Sequence, residues 1–149
     1  MIVGKHKTVL LNEFEIEVED TPVTDAEKKD LVLNFATGIK TKDRALLESL
    51  ATEDVFWSLP GDNLMSRPSK GVDGILEHGA TLEAFEVNVQ VEHVVYGADT
   101  IGIILHNTGT KNGRVLDMHL TTVFQLRDGK VHRLNTLLHD VSMMNNYFV

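Results

Sequence analysis

Seven histidines and two late aspartates, Asp117 and Asp140, are the side chains best suited to move protons in this cysteine-free chain. Imidazole titrates near neutrality, so each histidine is a potential acid, base or metal ligand. They stand at positions 6, 78, 93, 106, 119, 132 and 139, and the run from His93 to His132 steps by 13 residues. One step equals one hairpin repeat, so neighbouring strands could gather some of them. There is no local His-x₃-His pair and no accompanying carboxylate signature, so the spacing is read as no metal site. Asp117 and His119 form an acid–base couple in sequence, but strand alternation turns both outward if Thr122 faces inward. They are expected to be a solvent or dimer-interface pair. Leu134, Thr136, Leu138 and Asp140 share the parity of the last strand, and that mainly apolar side is placed inward. As a general acid/base, Asp140 needs partial burial and a raised pKa. Before a short tail helix, the same residue is equally well suited to capping free N–H groups. His93 lies among valines, where a satisfied core histidine is the commoner outcome. His106 and His139 are similarly ambiguous, and His78 shares a helix face with Ile75 and Leu82, which favours packing.

Composition bounds the rest. A chain of 149 residues with 42% hydrophobic content fits one domain with a core of its own. Without cysteine there is no disulfide, thiolate site or cysteine nucleophile. The net charge of -8 argues against nucleic acid, which needs clustered Lys and Arg. Met1 to Lys7 is too polar for a signal peptide, and no apolar run approaches the roughly 20 residues of a membrane helix. The expected setting is soluble and cytoplasmic. Gly-x-Ser-x-Gly, phosphate-loop and dinucleotide motifs are absent from the sequence.

The elements that must position these groups follow from periodicity. Residues 8–19 alternate, with Leu10, Phe14, Ile16 and Val18 opposite the glutamates, as one half-buried strand or arm. Thr24 to Glu27 is a capping box. It opens a helix carrying Leu31, Val32, Phe35 and Ile39. A second helix fits Asp43 to Ala51, and Val55, Trp57 and Leu59 alternate as a strand. A third helix runs from about Gly71 to Phe85. Val87, Val89, Val91, His93 and Val95 then share one strand face. Asn112-Gly113 and Asp128-Gly129 mark hairpin turns around a long strand. The last strand runs from Val131 to about Asp140. Three helices followed by a meander make an α+β domain, with a cone-shaped, curved antiparallel sheet wrapped on the helices.

The order of these elements, the strand ending Trp57-Ser58-Leu59-Pro60-Gly61, the helix start Gly71-Val72-Asp73-Gly74-Ile75, the turn Arg127-Asp128-Gly129-Lys130-Val131 and an Asp closing the last strand resemble a SnoaL-like domain of the nuclear transport factor 2-like superfamily. The resemblance covers about residues 24–149 and leaves residues 1–23 as an arm or extra strand. It implies the cone fold, usually a homodimer through the sheet, and a family of cyclases, isomerases, dehydratases, epoxide hydrolases and non-catalytic binders. Laid on the ketosteroid isomerase pattern, the base falls at Leu59, the tyrosine at Phe35 and the second acid near Thr122. None of the three can play its part, so that chemistry is not expected. The absence of Arg-x-Asp likewise disfavours epoxide hydrolysis of the limonene-epoxide type. The SnoaL-type cyclase pattern puts a proton-moving acid at Asp140, although the interval from Gly129 is one residue longer than usual; a bulge would absorb it.

The resulting expectation is a cofactor-independent enzyme, without metal, acting on a small apolar carbonyl-bearing molecule by cyclisation, isomerisation or dehydration. Asp140 would be the acid/base, with His93 and His106 as its hydrogen-bond partners. Phe35, Trp57, Leu59, Met118, Thr122, Thr136 and Leu138 would line the pocket. The alternative is a non-catalytic ligand-binding or dimerisation domain.

Overall fold

The computed structural model describes residues 23–149 in full and the backbone of residues 5–11 and 14–21. In chain order the elements are β1 (Lys5–Leu11), β2 (Phe14–Thr21), α1 (Asp25–Thr41), α2 (Arg44–Leu50), β3 (Ala51–Ser58), a single 3₁₀ turn (Leu64–Ser66), β4 (Ser69–Lys70), α3 (Gly71–Ala84), β5 (Asn88–Tyr96), β6 (Thr100–Lys111), β7 (Arg114–Arg127), β8 (Lys130–Leu138) and α4 (Val141–Tyr147).

The N-terminal alternation is divided between two strands rather than forming one. β1 pairs antiparallel with β2, and Leu11 stands opposite Phe14. An alternating pattern has the same period on both arms of a hairpin, so it does not reveal the reversal. The facing of Leu10, Phe14, Ile16 and Val18 lies outside the described residues.

Thr24 caps α1 in a complete capping box with Glu27. Asp43 caps α2 by accepting from the Leu46 amide. α1 buries Leu31, Val32 and Phe35. It meets α3 closely: a Cβ on Gly79 would lie 2.6 Å from the Ile39 carbonyl oxygen, so only glycine fits there.

The six-stranded sheet runs β4-β3-β8-β7-β6-β5. β3 and β8 pair in parallel, and the other neighbours are antiparallel. Asn112 and Gly113 both have positive φ (51° and 77°), as do Asp128 and Gly129 (53° and 74°). Both expected hairpin turns therefore form in the twist-compatible geometry that such pairs favour.

Two bulges set which side chains face the helices. In β8 the register slips between Gln125 and Leu126, leaving His132 as the extra residue. This absorbs the long interval after Gly129 and keeps Leu134 and Thr136 inward, both buried. In β5 the slip falls between Val91 and His93, with Glu92 the extra residue.

The concave side holds two apolar clusters. One contains Phe35, Val55, Trp57, Ile75, Ile101 and Phe124. The other contains Met65, Leu116, Met118, Met144, Tyr147 and Phe148. The second cluster includes α4, the helix into which the tail folds. Among the described residues no helix is long and apolar enough to cross a membrane.

Candidate functional site

A short polar stripe crosses the apolar interior. The Trp57 indole donates to Thr136 Oγ1 at 2.8 Å, and Thr136 Oγ1 is 2.8 Å from Thr122 Oγ1. Strand pairing explains the alignment: Trp57 neighbours Leu134 on β8, while Thr136 stands opposite Thr122 on β7. α3 adds His78, whose ring lies 4.5 Å from the Trp57 ring at 56°. His78 is 5% exposed, and neither ring nitrogen has a well-formed hydrogen bond. The buried Ser69 hydroxyl also lacks one. Burial, only partly opposed by a weak hydrogen bond at the Arg67 backbone, lowers the His78 pKa from 6.5 to about 4, so the imidazole is neutral at physiological pH. Among the described residues no Asp or Glu is buried, which leaves His78 as the interior's titratable imidazole.

Phe35, Met118, Thr122 and Thr136 all face this interior and are at most 3% exposed. The half-buried Leu59 touches both clusters, and the half-buried Leu138 touches the second.

α4 and the residues just after it are tied to residues 61–66. Asn145 Oδ1 accepts from the Asp62 amide and from Asn63 Nδ2, each at 2.8 Å. The Leu64 amide donates to the Phe148 carbonyl at 3.1 Å. Tyr147 donates its hydroxyl proton to the Phe85 carbonyl at 2.6 Å. Asp140 starts this helix: its Oδ1 accepts from the Met143 amide at 3.0 Å, which is the capping geometry. It also borders an open cleft of about 400 Å³ with Arg114, Ser142, Asn146 and Tyr147.

The structure does not bring His93 or His106 to the side Asp140 was expected to share with them. The bulge at Glu92 breaks the alternation of β5. Val89 and Val91 pair with the concave-side positions Asn107 and Leu105, whereas His93 pairs with Ile104 on the convex face and is exposed. His106 is also convex, opposite His119. Its Nε2 lies 2.5 Å from Asp117 Oδ1. That hydrogen bond holds the Asp117 carboxyl below the usual carboxylate range. His106 and His119 stack at 4.2 Å and 11°, and His139 meets His119 edge-on at 5.4 Å. The outward facing expected for Asp117 and His119 is the facing observed.

The sequence profile of the SnoaL-like domain matches residues 32–134. No curated protein matches the chain. Among solved structures, Bal32a from a soil-derived mobile gene cassette is 20% identical, with a TM-score of 0.74, covering 83% of this chain and 98% of that one. A nuclear transport factor 2-like protein from Burkholderia xenovorans LB400 is 15% identical, with a TM-score of 0.74, covering 86% and 100%. TerC, co-crystallized with polyporic acid, is 17% identical, with a TM-score of 0.68, covering 82% and 98%. At such identities the likeness is one of fold. The profile match spans most of the cone, from the middle of α1 to Leu134 on β8, and on that ground the chain belongs to the SnoaL-like domain family.

Proposed function

We propose that the concave side of residues 24–149 binds a small apolar molecule carrying a carbonyl or hydroxyl oxygen, with residues 1–23 as an appended arm. The observation that carries this reading is His78. A buried imidazole without a well-formed hydrogen bond, the Arg67 backbone being its one weak polar contact, has a desolvation cost that a ligand oxygen would offset. Its low pKa keeps it neutral, so it can donate an N–H to a carbonyl without charging the interior. The stripe Trp57–Thr136–Thr122 would orient the same oxygen, and the ligand would enter along Leu59 and Leu138. Asp140, at the cleft, is the acid/base candidate for a cofactor-independent proton transfer of the isomerase, cyclase or lyase type in the cytoplasm. Its engagement as a helix cap, and the lack of a buried carboxylate among the described residues, favour a second reading in which the domain binds without turnover.

Trp57 is the chain's one tryptophan, so its fluorescence reports occupancy of the interior directly. The test is a titration with a panel of cyclic ketones and polyporic acid, read by Trp57 emission and by product analysis. Quenching that is lost in His78→Phe while the fold persists supports the site; quenching unchanged in that variant rejects it. Turnover abolished in Asp140→Asn supports the enzyme, and binding without turnover supports the binder.

The exposed apolar side chains on the convex face, Leu137 at 53% and Val95 at 42%, support a homodimer through the sheet.

A further inference from the structure

We infer that Glu92, His106 and His119 form a binding site for a divalent transition-metal ion on the convex face of the sheet. The three come from β5, β6 and β7, and one ligand atom from each lies within 4.8 Å of the other two. His119 Nδ1 is 3.7 Å from Glu92 Oε1, which reaches it across β6. Around a tetrahedral ion with bonds of about 2.0–2.2 Å, ligand atoms stand about 3.3 Å apart. Because parallel rings cannot both aim in-plane lone pairs at one ion, closing the set requires a partly exposed imidazole to rotate out of the His106–His119 stack.

The surroundings suit a cation. The Asp117 carboxylate holds His106 through Nε2, which leaves Nδ1 free to present its lone pair. A carboxylate behind a ligating imidazole is the arrangement that fixes ring orientation and raises ligand basicity. The His119 backbone amide donates to His139 Nδ1 at 3.0 Å, which ties the end of β8 to this part of β7. Two imidazoles with one carboxylate favour zinc, cobalt, nickel or copper over magnesium or calcium, which prefer oxygen ligands. Three protein ligands leave a coordination position for water or an exogenous group. This inference uses none of the interior residues, and it shares the convex face with the homodimer proposed above.

The test is calorimetric titration of the tag-free, chelator-treated full chain with Zn²⁺, and absorption spectroscopy with Co²⁺. The expected result is one ion per chain. His119→Gln and Glu92→Gln should each weaken binding by more than about tenfold, and Asp117→Asn by about tenfold, as loss of a supporting group does. His132→Gln, which removes a histidine outside the cluster, should leave affinity unchanged. Circular dichroism of the metal-free variants checks that the fold persists. No Zn²⁺ binding, binding retained in a His106→Gln/His119→Gln double variant, or equal affinity for Mg²⁺ would overturn the site.

Discussion

Protonating His78 would place a buried charge beside Trp57, with only the Arg67 backbone acting in favour of the charged form. The imidazole binds protons less readily in the folded chain, near pH 4, than in the unfolded one, near 6.5. Its neutral-form stability is therefore fully present above pH 6.5 and is lost as pH falls towards 4. A shift of that size corresponds to about 3 kcal/mol. Denaturant unfolding between pH 4.5 and 7.5 should show this slope, and His78→Phe should remove it. Above pH 6.5 the same variant should be more stable by about 1 kcal/mol, because an unsatisfied polar group is replaced by an apolar one. The sequence shows His78 on the face of Ile75 and Leu82, which is correct as far as it goes. Its importance comes from contact with Trp57 on another element, which no local pattern encodes. Asp140 illustrates the opposite case. Its two readings were both legible, and the capping bond is formed. Asp140→Ala should cost about 1 kcal/mol in equilibrium unfolding.

At the scale of elements, turns were legible and bulges were not. Asn112-Gly113 is equidistant from His106 and His119, so the turn chemistry alone sets those rings opposite each other. Glu92 reaches them through an irregularity in β5 that leaves no signature in residue type. The same bulge reverses the facing expected of His93. The single strand expected over residues 8–19 failed for a related reason, since alternation carries no sign of direction. The docking of α4 depends on small contacts of this kind. A Cβ on Gly109 would lie 2.6 Å from the Tyr147 hydroxyl and 3.2 Å from the Glu86 carbonyl. Gly109→Ala should destabilise by about 1–3 kcal/mol through overpacking. Tyr147→Phe removes both that hydroxyl and its bond to Phe85, so the double variant should lose less than the sum of the two. A double-mutant cycle in urea measures the difference.

For the whole molecule, the convex face has two features that no single strand announces: the imidazole cluster and the exposed apolar pair Leu137 and Val95. If a second copy covers this face, Leu137→Lys should shift the sedimentation coefficient from dimer to monomer without unfolding the chain. The fold class, the cone and the concave placement of Phe35, Trp57, Met118, Thr122 and Thr136 were all readable from alternation, because burial imposes the period of the element. How tightly that interior is packed was not readable, since it depends on where the nine residues after Asp140 settle. The parallel ladder between β3 and β8 has a temporal consequence. A ribosome must release the chain through β8 before Trp57 can meet Thr136, so the stripe is finished late, at the slow pace of distant pairing. In stopped-flow refolding, indole emission should accordingly reach its native value in the last kinetic phase, after the helices have formed.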